Sequence, residues 1–310
     1  LLLPESTFTA GGGITWDRWV SNYTGAKLYD YAVSGAVCSN DIVFRLVEPN
    51  FPFPDVVYEV GAFEADIKYV NASTGKNTLY TDRRSDNTVY SMWIGTNDLG
   101  NNAFLTDSSI HDTVIPDYID CIYDRFDEIY KAGGRFFVLM NTAPLQLSPL
   151  YGLPEAGGLA VSHYWTDKVK VLLNRFESIL TRTQSNGNLT EISYKMKEYT
   201  QLVNTVFDYR TPYELLIAKR YPGASIAIYD VHSLLTDVYN NPGQYLTSPA
   251  NVTGVYHSCD ASGSVCTDAQ ESLDHFMWYD ELHPSEKTDQ AVAHEFVNVV
   301  KGTSKYATYW

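Results

Sequence analysis

Apolar positions along this chain follow two alternating rhythms. Short runs dense in β-branched and aromatic residues, at Lys27–Val33, Thr88–Ile94, Arg135–Met140 and Ser225–Tyr229, predict strands. Each gives way to Gly, Asn, Ser or Asp, residues that turn a chain. Between these runs the spacing lengthens to three and four. Val56, Val60, Phe63, Ile67 and Val70 mark one helical face, and Ile119, Tyr123, Phe126 and Tyr130 another. A long helical region is expected from about Tyr164 to Lys219, broken by turn formers near Ser185–Asn188. A last helix from about Thr288 would turn Val292, Phe296 and Val299 inward, and Pro284, Ser285 and Glu286 suit its opening. Strand and helix in alternation predict an α/β fold with a parallel sheet. With no repeat, low-complexity block or linker, a single domain over residues 1–310 is expected.

Composition narrows the partners. At 45% apolar and 19% charged, the 310 residues can bury a sizeable core. A formal charge of -15 with no Lys/Arg cluster sets nucleic acid and anionic membrane surfaces aside, because phosphates would be repelled. No run approaches the roughly 18 apolar residues of a membrane span. Leu1-Leu2-Leu3 lacks the basic flank and apolar length of an intact signal peptide.

The four cysteines permit three pairings. Cys259 and Cys266 close a short Ser/Gly/Asp loop suited to a local disulfide, which leaves Cys38 for Cys121. Sequons at Asn22, Asn71, Asn188 and Asn251 add to the paired cysteines and favour a secreted, extracellular protein carrying N-linked glycans.

Ligands of open parallel sheets bind beyond the carboxyl ends of the strands. Ser34-Gly35, Gly95-Thr96-Asn97-Asp98 and Asn141-Thr142 stand at three such ends. Asp280-Glu281-Leu282-His283-Pro284 is the strongest local signal. A general-base imidazole needs an acceptor on its other nitrogen, and a carboxylate three residues earlier on a tight turn can supply it. Taken alone, the same pentapeptide also reads as a surface turn capped by Asp280 with His283 idle. Asn97 offers a neutral, fixed donor for an oxyanion, and Gly35 an unobstructed backbone N–H.

In this order these blocks resemble the GDSL or SGNH hydrolase superfamily. They are most similar to carbohydrate esterase family 16, the fungal-type acetylesterases. The tracts carrying the resemblance are Trp93-Ile94-Gly95-Thr96-Asn97-Asp98-Leu99-Gly100 and Phe276-Met277-Trp278-Tyr279-Asp280-Glu281-Leu282-His283-Pro284-Ser285-Glu286. The resemblance implies a flavodoxin-like three-layer α/β/α sandwich that hydrolyses esters, removing acetyl groups from carbohydrate such as xylo-oligosaccharides. It implies His283 as general base, Asp280 as its orienting carboxylate, and Gly35 N–H and the Asn97 amide as oxyanion donors. No metal or organic cofactor is expected.

The family's first block, a Gly-Asp-Ser whose serine is the nucleophile, does not occur in residues 1–310. Its strand would lie inside the sheet, so the chain is expected to be incomplete at its amino end. Three other readings remain at this level. One is a secreted glycan-binding pseudoenzyme, supported by 24 Tyr and 6 Trp, although core and interface packing accounts better for such rings. Another is a GDSL lipase or esterase of other ester specificity. The last is a metal site of His257, Asp274, His275, Asp280 and His283. His111, His163, His232 and His294 read as structural or exposed.

Overall fold

The computed structural model describes residues 9–166, 168 and 189–310. In chain order they form α1 (Trp16–Thr24), a short hairpin of β1 (Leu46–Glu48) and β2 (Phe51–Pro52), α2 (Val56–Lys68), β3 (Val89–Met92), α3 (Thr96–Leu99) and α4 (Ile115–Lys131). There follow β4 (Phe136–Met140), α5 (Leu189–Pro212), β5 (Ser225–Tyr229), α6 (Val231–Asn240) and β6 (Asn251–Val255). The chain then passes through β7 (His257–Cys259), β8 (Cys266–Asp268), β9 (Phe276–Trp278), α7 (Glu286–Val300) and β10 (Ala307–Tyr309). The class is α/β, as the alternating rhythm predicts. No helix among the described residues is long and apolar enough to cross a membrane.

Two compact units divide the chain. One comprises Tyr29–Thr142, Gln201–Asp230 and Asn298–Trp310. Its sheet has the order β10-β5-β4-β3, with β3, β4 and β5 parallel and β10 antiparallel to β5. The central strands are buried almost throughout, at Phe137–Met140 and Ile226–Tyr229, as parallel strands covered on both faces must be. On β3 only Met92 is buried. The helical spacings place Val56, Val60 and Phe63 of α2 and Ile119, Tyr123 and Phe126 of α4 in the core. Phe126 meets Phe137 with ring centroids 5.3 Å apart, and Phe63 meets Tyr90 at 5.7 Å. Each such side chain contributes about 2–3 kcal/mol by leaving water. The Cys38–Cys121 disulfide joins α4 to the loop after Gly35, across 83 residues of sequence.

One expected strand is corrected here. Lys27–Val33 has no regular secondary structure and joins no sheet among the described residues. A strand exists through its ladder, and this segment's N–H groups go elsewhere. Ala32 N–H donates to Asp30 Oδ1 at 2.9 Å, and Val33 N–H to Glu59 Oε1 at 2.8 Å.

The second unit comprises Leu1–Leu28, Ala143–Thr200 and Val231–Val297. In it α6 buries Val231, Leu234, Leu235 and Val238, the residues of one helical face. On α7, Val292 and Phe296 turn inward as expected, as does Val299 at the part of the helix assigned to the first unit, and Trp16 of α1 packs against Phe296 at 5.0 Å. The strands β6 and β9 pair in parallel. The antiparallel β7–β8 hairpin is closed by the expected Cys259–Cys266 disulfide.

The expected long helix is also corrected at its start. Residues 162–165 form a tight turn, with Trp165 N–H donating to Ser162 O at 3.1 Å. Its described part is α5 with a π-helical turn at Tyr213–Ile217 after it, and the predicted break near Ser185–Asn188 lies outside the described residues, as does the sequon at Asn188.

Candidate active site

The strand β9 delivers the chain to its strongest motif. Phe276, Met277 and Trp278 are all buried, and the backbone beyond them is tied on both sides. His257 N–H donates to Tyr279 O at 2.6 Å, and Tyr279 N–H to His283 O at 2.9 Å. Ser285 N–H reaches back to Met277 O at 2.9 Å. Residues 279–283 therefore make a closed turn whose ends cannot drift apart.

Asp280 organises that turn from within. Its Oδ1 accepts from Leu282 N–H at 2.9 Å and His283 N–H at 2.7 Å. His283 Nδ1 lies 3.0 Å from Oδ1 and 2.9 Å from Oδ2. An ionised carboxylate only accepts, so Nδ1 carries the ring proton and Nε2 is the basic nitrogen. Asp280 is 2% exposed, whereas the His283 side chain keeps 28% of its surface in contact with solvent. Burial pushes the Asp280 carboxyl up. The His283 hydrogen bond and charge, the backbone N–H and the Tyr164 hydroxyl outweigh it and hold the group below its ordinary range. An anionic carboxylate against Nδ1–H leaves Nε2 able to take a proton, and the carboxylate then stabilises the imidazolium.

Two neighbouring residues reach the same turn from residues 162–165. The Tyr164 hydroxyl donates to Asp280 Oδ2 at 2.7 Å, and its ring stands edge-on to His283 with centroids 5.7 Å apart. His163 Nδ1 lies 3.3 Å from Oε1 of Glu281, a carboxylate only 2% exposed. The sequence reading missed Tyr164 and set His163 aside as structural or exposed. The signal was absent because 116 residues separate Tyr164 from Asp280.

Gly35 and Asn97 come together in the sheet-bearing unit. At Gly35 φ is 96°, and an added Cβ would lie 2.9 Å from the Phe53 ring. Gly95 opens α3 at φ 131°, where a Cβ would come within 2.4 Å of the Tyr118 hydroxyl. Both positions need glycine to let backbone pass so close. The two loops are stitched by Asn97 Nδ2, which donates to Ala36 O at 3.1 Å, and by Cys38 N–H, which donates to Asp98 Oδ1 at 2.8 Å. Asp98 is fully buried, and burial pushes its carboxyl up to about 7 while the Cys38 N–H pulls it down. Among the described residues the Gly35 N–H makes no hydrogen bond.

The five residues of the metal alternative do not gather among the described residues. His257 Nδ1 meets Asp268 at 2.6 Å, His275 Nδ1 meets the Thr247 carbonyl at 3.0 Å, and Asp280 and His283 hold one another. His257 also sits close to Cys259 and Cys266, but both sulfurs are spent in the disulfide. Of the sequons, Asn22 is exposed, while Asn71 and Asn251 are half-buried with their side-chain oxygens in local turns.

The family model for GDSL-like lipase/acylhydrolase matches residues 8–296. The chain is 43% identical over 309 residues to an acetylesterase of Hypocrea jecorina, spanning 99% of this chain and 82% of that protein. It is 27% identical over 221 residues to an acetylesterase of Thermothelomyces thermophilus, spanning 68% of this chain and 65% of the other. Similarity of this extent shows the family: the chain belongs to the GDSL-like lipase/acylhydrolases, carboxylic ester hydrolases of the α/β class.

Proposed function

We propose that this hydrolase is a secreted acetylesterase that removes acetyl groups from carbohydrate through a Ser-His-Asp mechanism. The observation that carries the mechanism is the Asp280–His283 pair, with Nδ1 held by a buried carboxylate and the ring partly open to solvent. The acetyl group is supported by the two acetylesterase relatives. A neutral sugar ester also suits a chain of charge -15 better than an anionic substrate does.

In this mechanism His283 Nε2 takes the proton of a serine hydroxyl, and the oxygen attacks the acetyl carbonyl. Residues 1–310 contain no Gly-Asp-Ser block to supply that serine. Gly35 N–H and the Asn97 amide are the proposed donors to the oxyanion. His283 then passes its proton to the departing sugar hydroxyl, and a water activated in the same way releases acetate from the acyl-enzyme. Asp280 stays ionised throughout. The steps call on no metal or organic cofactor.

The test is acetate release from acetylated xylo-oligosaccharides by the full-length protein. His283→Ala should lower kcat by about 10³-fold or more with substrate binding kept. Sugar binding without turnover in the unaltered protein would refute the proposal in favour of a glycan-binding role. Secretion rests on the two disulfides and the sequons. A mass loss on enzymatic deglycosylation of the protein from its natural host is the expected sign.

A further inference from the structure

We propose that Tyr164 is a positioning residue of this ester-hydrolysing site, holding the Asp280 carboxylate against His283 by donating to Oδ2. The proposal rests on the reading of Asp280 and His283 as the acid–base pair.

The argument starts from the acceptor capacity of Asp280. A carboxylate offers about four lone-pair positions, and a buried one needs them filled. Oδ1 receives two backbone N–H groups of its own turn. Among the described residues Oδ2 receives no backbone donor. Its partners are the His283 Nδ1–H, shared with Oδ1, and the Tyr164 hydroxyl at 2.7 Å. At 2% exposure Asp280 has little water to replace a lost donor. Without the phenol, the oxygen nearer to the ring would depend on a bifurcated bond alone. The carboxylate would then be fixed through Oδ1 alone, with its charge still beside the imidazole but the direction of Oδ2 towards Nδ1–H no longer set.

Tyr164 is itself placed to do this. Its N–H donates to Ser162 Oγ at 3.1 Å, and Ser162 is bridged to the buried Trp165 in the same turn. Beside it, His163 pairs with Glu281, so two consecutive residues grip two consecutive carboxylates in opposite order. The Glu281 carbonyl accepts from Leu150 N–H at 2.7 Å, which anchors the far side of the turn. Among the described residues, Asp280, Glu281, Tyr279, His163 and His283 are titratable groups that face the phenol. Burial, and then the Asp280 charge, raises the Tyr164 hydroxyl above its ordinary range, so it remains a neutral donor throughout the working pH range.

The consequence for catalysis is specific. Tyr164 touches neither ester nor water in this role; it acts through Asp280. Removing the hydroxyl should therefore alter turnover and the titration of the pair, and leave substrate affinity alone. A carboxylate deprived of a neutral donor also keeps more of its charge for the imidazolium, which shifts the acid limb of the rate profile upward.

The test compares Tyr164→Phe with the unaltered full-length protein over the whole pH range of activity. The phenylalanine ring preserves the packing against His163 and His283, and circular dichroism and the melting temperature check the fold. Expected results are a kcat lower by about tenfold, a KM within about twofold, and an acid limb of kcat/KM raised by about half a pH unit. The Nδ1–H resonance of His283 in proton NMR should move as well. Unchanged kcat, acid limb and resonance in a folded Tyr164→Phe protein would overturn the proposal, as would a change confined to KM. His283→Ala separates the two levels of inference. Wild-type turnover in that variant would overturn the acid–base reading itself, whereas an inactive His283→Ala beside an unperturbed Tyr164→Phe would overturn only the role of Tyr164.

Discussion

Ser285→Ala should destabilise the protein by about 2–3 kcal/mol, although the side chain lies outside the acid–base pair. Ser285 is fully buried at the start of α7 and works in two directions. Its Oγ donates to Phe276 O on β9 at 2.6 Å and accepts from Thr288 N–H, in the first turn of the helix, at 3.2 Å. Alanine leaves that helical N–H without its cap, which costs about 1 kcal/mol. It also takes a donor from a buried carbonyl, which costs about 1–2 kcal/mol more. Thr288 Oγ1 cannot take over, because it already donates to Met277 O at 2.9 Å. Across a chain of 310 residues the sum corresponds to a melting temperature lower by about 4 °C. Differential scanning calorimetry of the two proteins at one pH is the assay. Activity per folded molecule should fall less than about tenfold, because the bonds between Asp280 and His283 are local to their own turn. A variant melting within about 1 °C of the parent would refute the reasoning, since it would mean that the cap and the bond to β9 contribute nothing net.

Two further predictions concern the sheet-bearing unit and the disulfides. Asp98 has an ordinary pKa of 3.8 that burial pushes up to about 7, so over this interval the folded chain holds a proton that the unfolded chain releases. Its contribution to stability therefore falls as pH rises from about 4 to 7. Asp98→Asn retains the Oδ1 acceptor for Cys38 N–H and should gain melting temperature over the parent at about pH 8 relative to about pH 5; parallel curves would refute the assignment. Disulfide loops of different length should differ in worth. The Cys38–Cys121 link spans 83 residues and Cys259–Cys266 only 7, for chain-entropy contributions of about 4–5 and about 2–3 kcal/mol. Urea unfolding of the Cys38→Ala/Cys121→Ala protein should accordingly show a loss larger by about 2 kcal/mol than that of Cys259→Ala/Cys266→Ala, and an equal or smaller loss would contradict the loop argument.

What the sequence determined by itself was local. Helices α2, α4 and α7 were legible because a buried face repeats every three or four residues, and burial is what selects those positions. Strands β4 and β5 were legible as dense apolar runs because central parallel strands are covered on both sides. Asp280 and His283 could be paired in advance because a three-residue separation on a tight turn leaves them little choice.

The tertiary structure decided whatever depends on partners distant in sequence. Lys27–Val33 has the composition of a strand and yet forms none, because pairing and not propensity makes a strand. The antiparallel edge strand β10 is three residues long, too short to show an alternation. Ser285 could be recognised as a helix opener, but its bond to Phe276 O belongs to the meeting of helix and strand. Tyr164 carries the same lesson into the site. Within the sequence it opens an expected helix; in the fold it lies on a turn and donates to a carboxylate 116 residues away. Periodicity records which face of an element is buried, and it holds no record of which distant atom will complete a hydrogen bond.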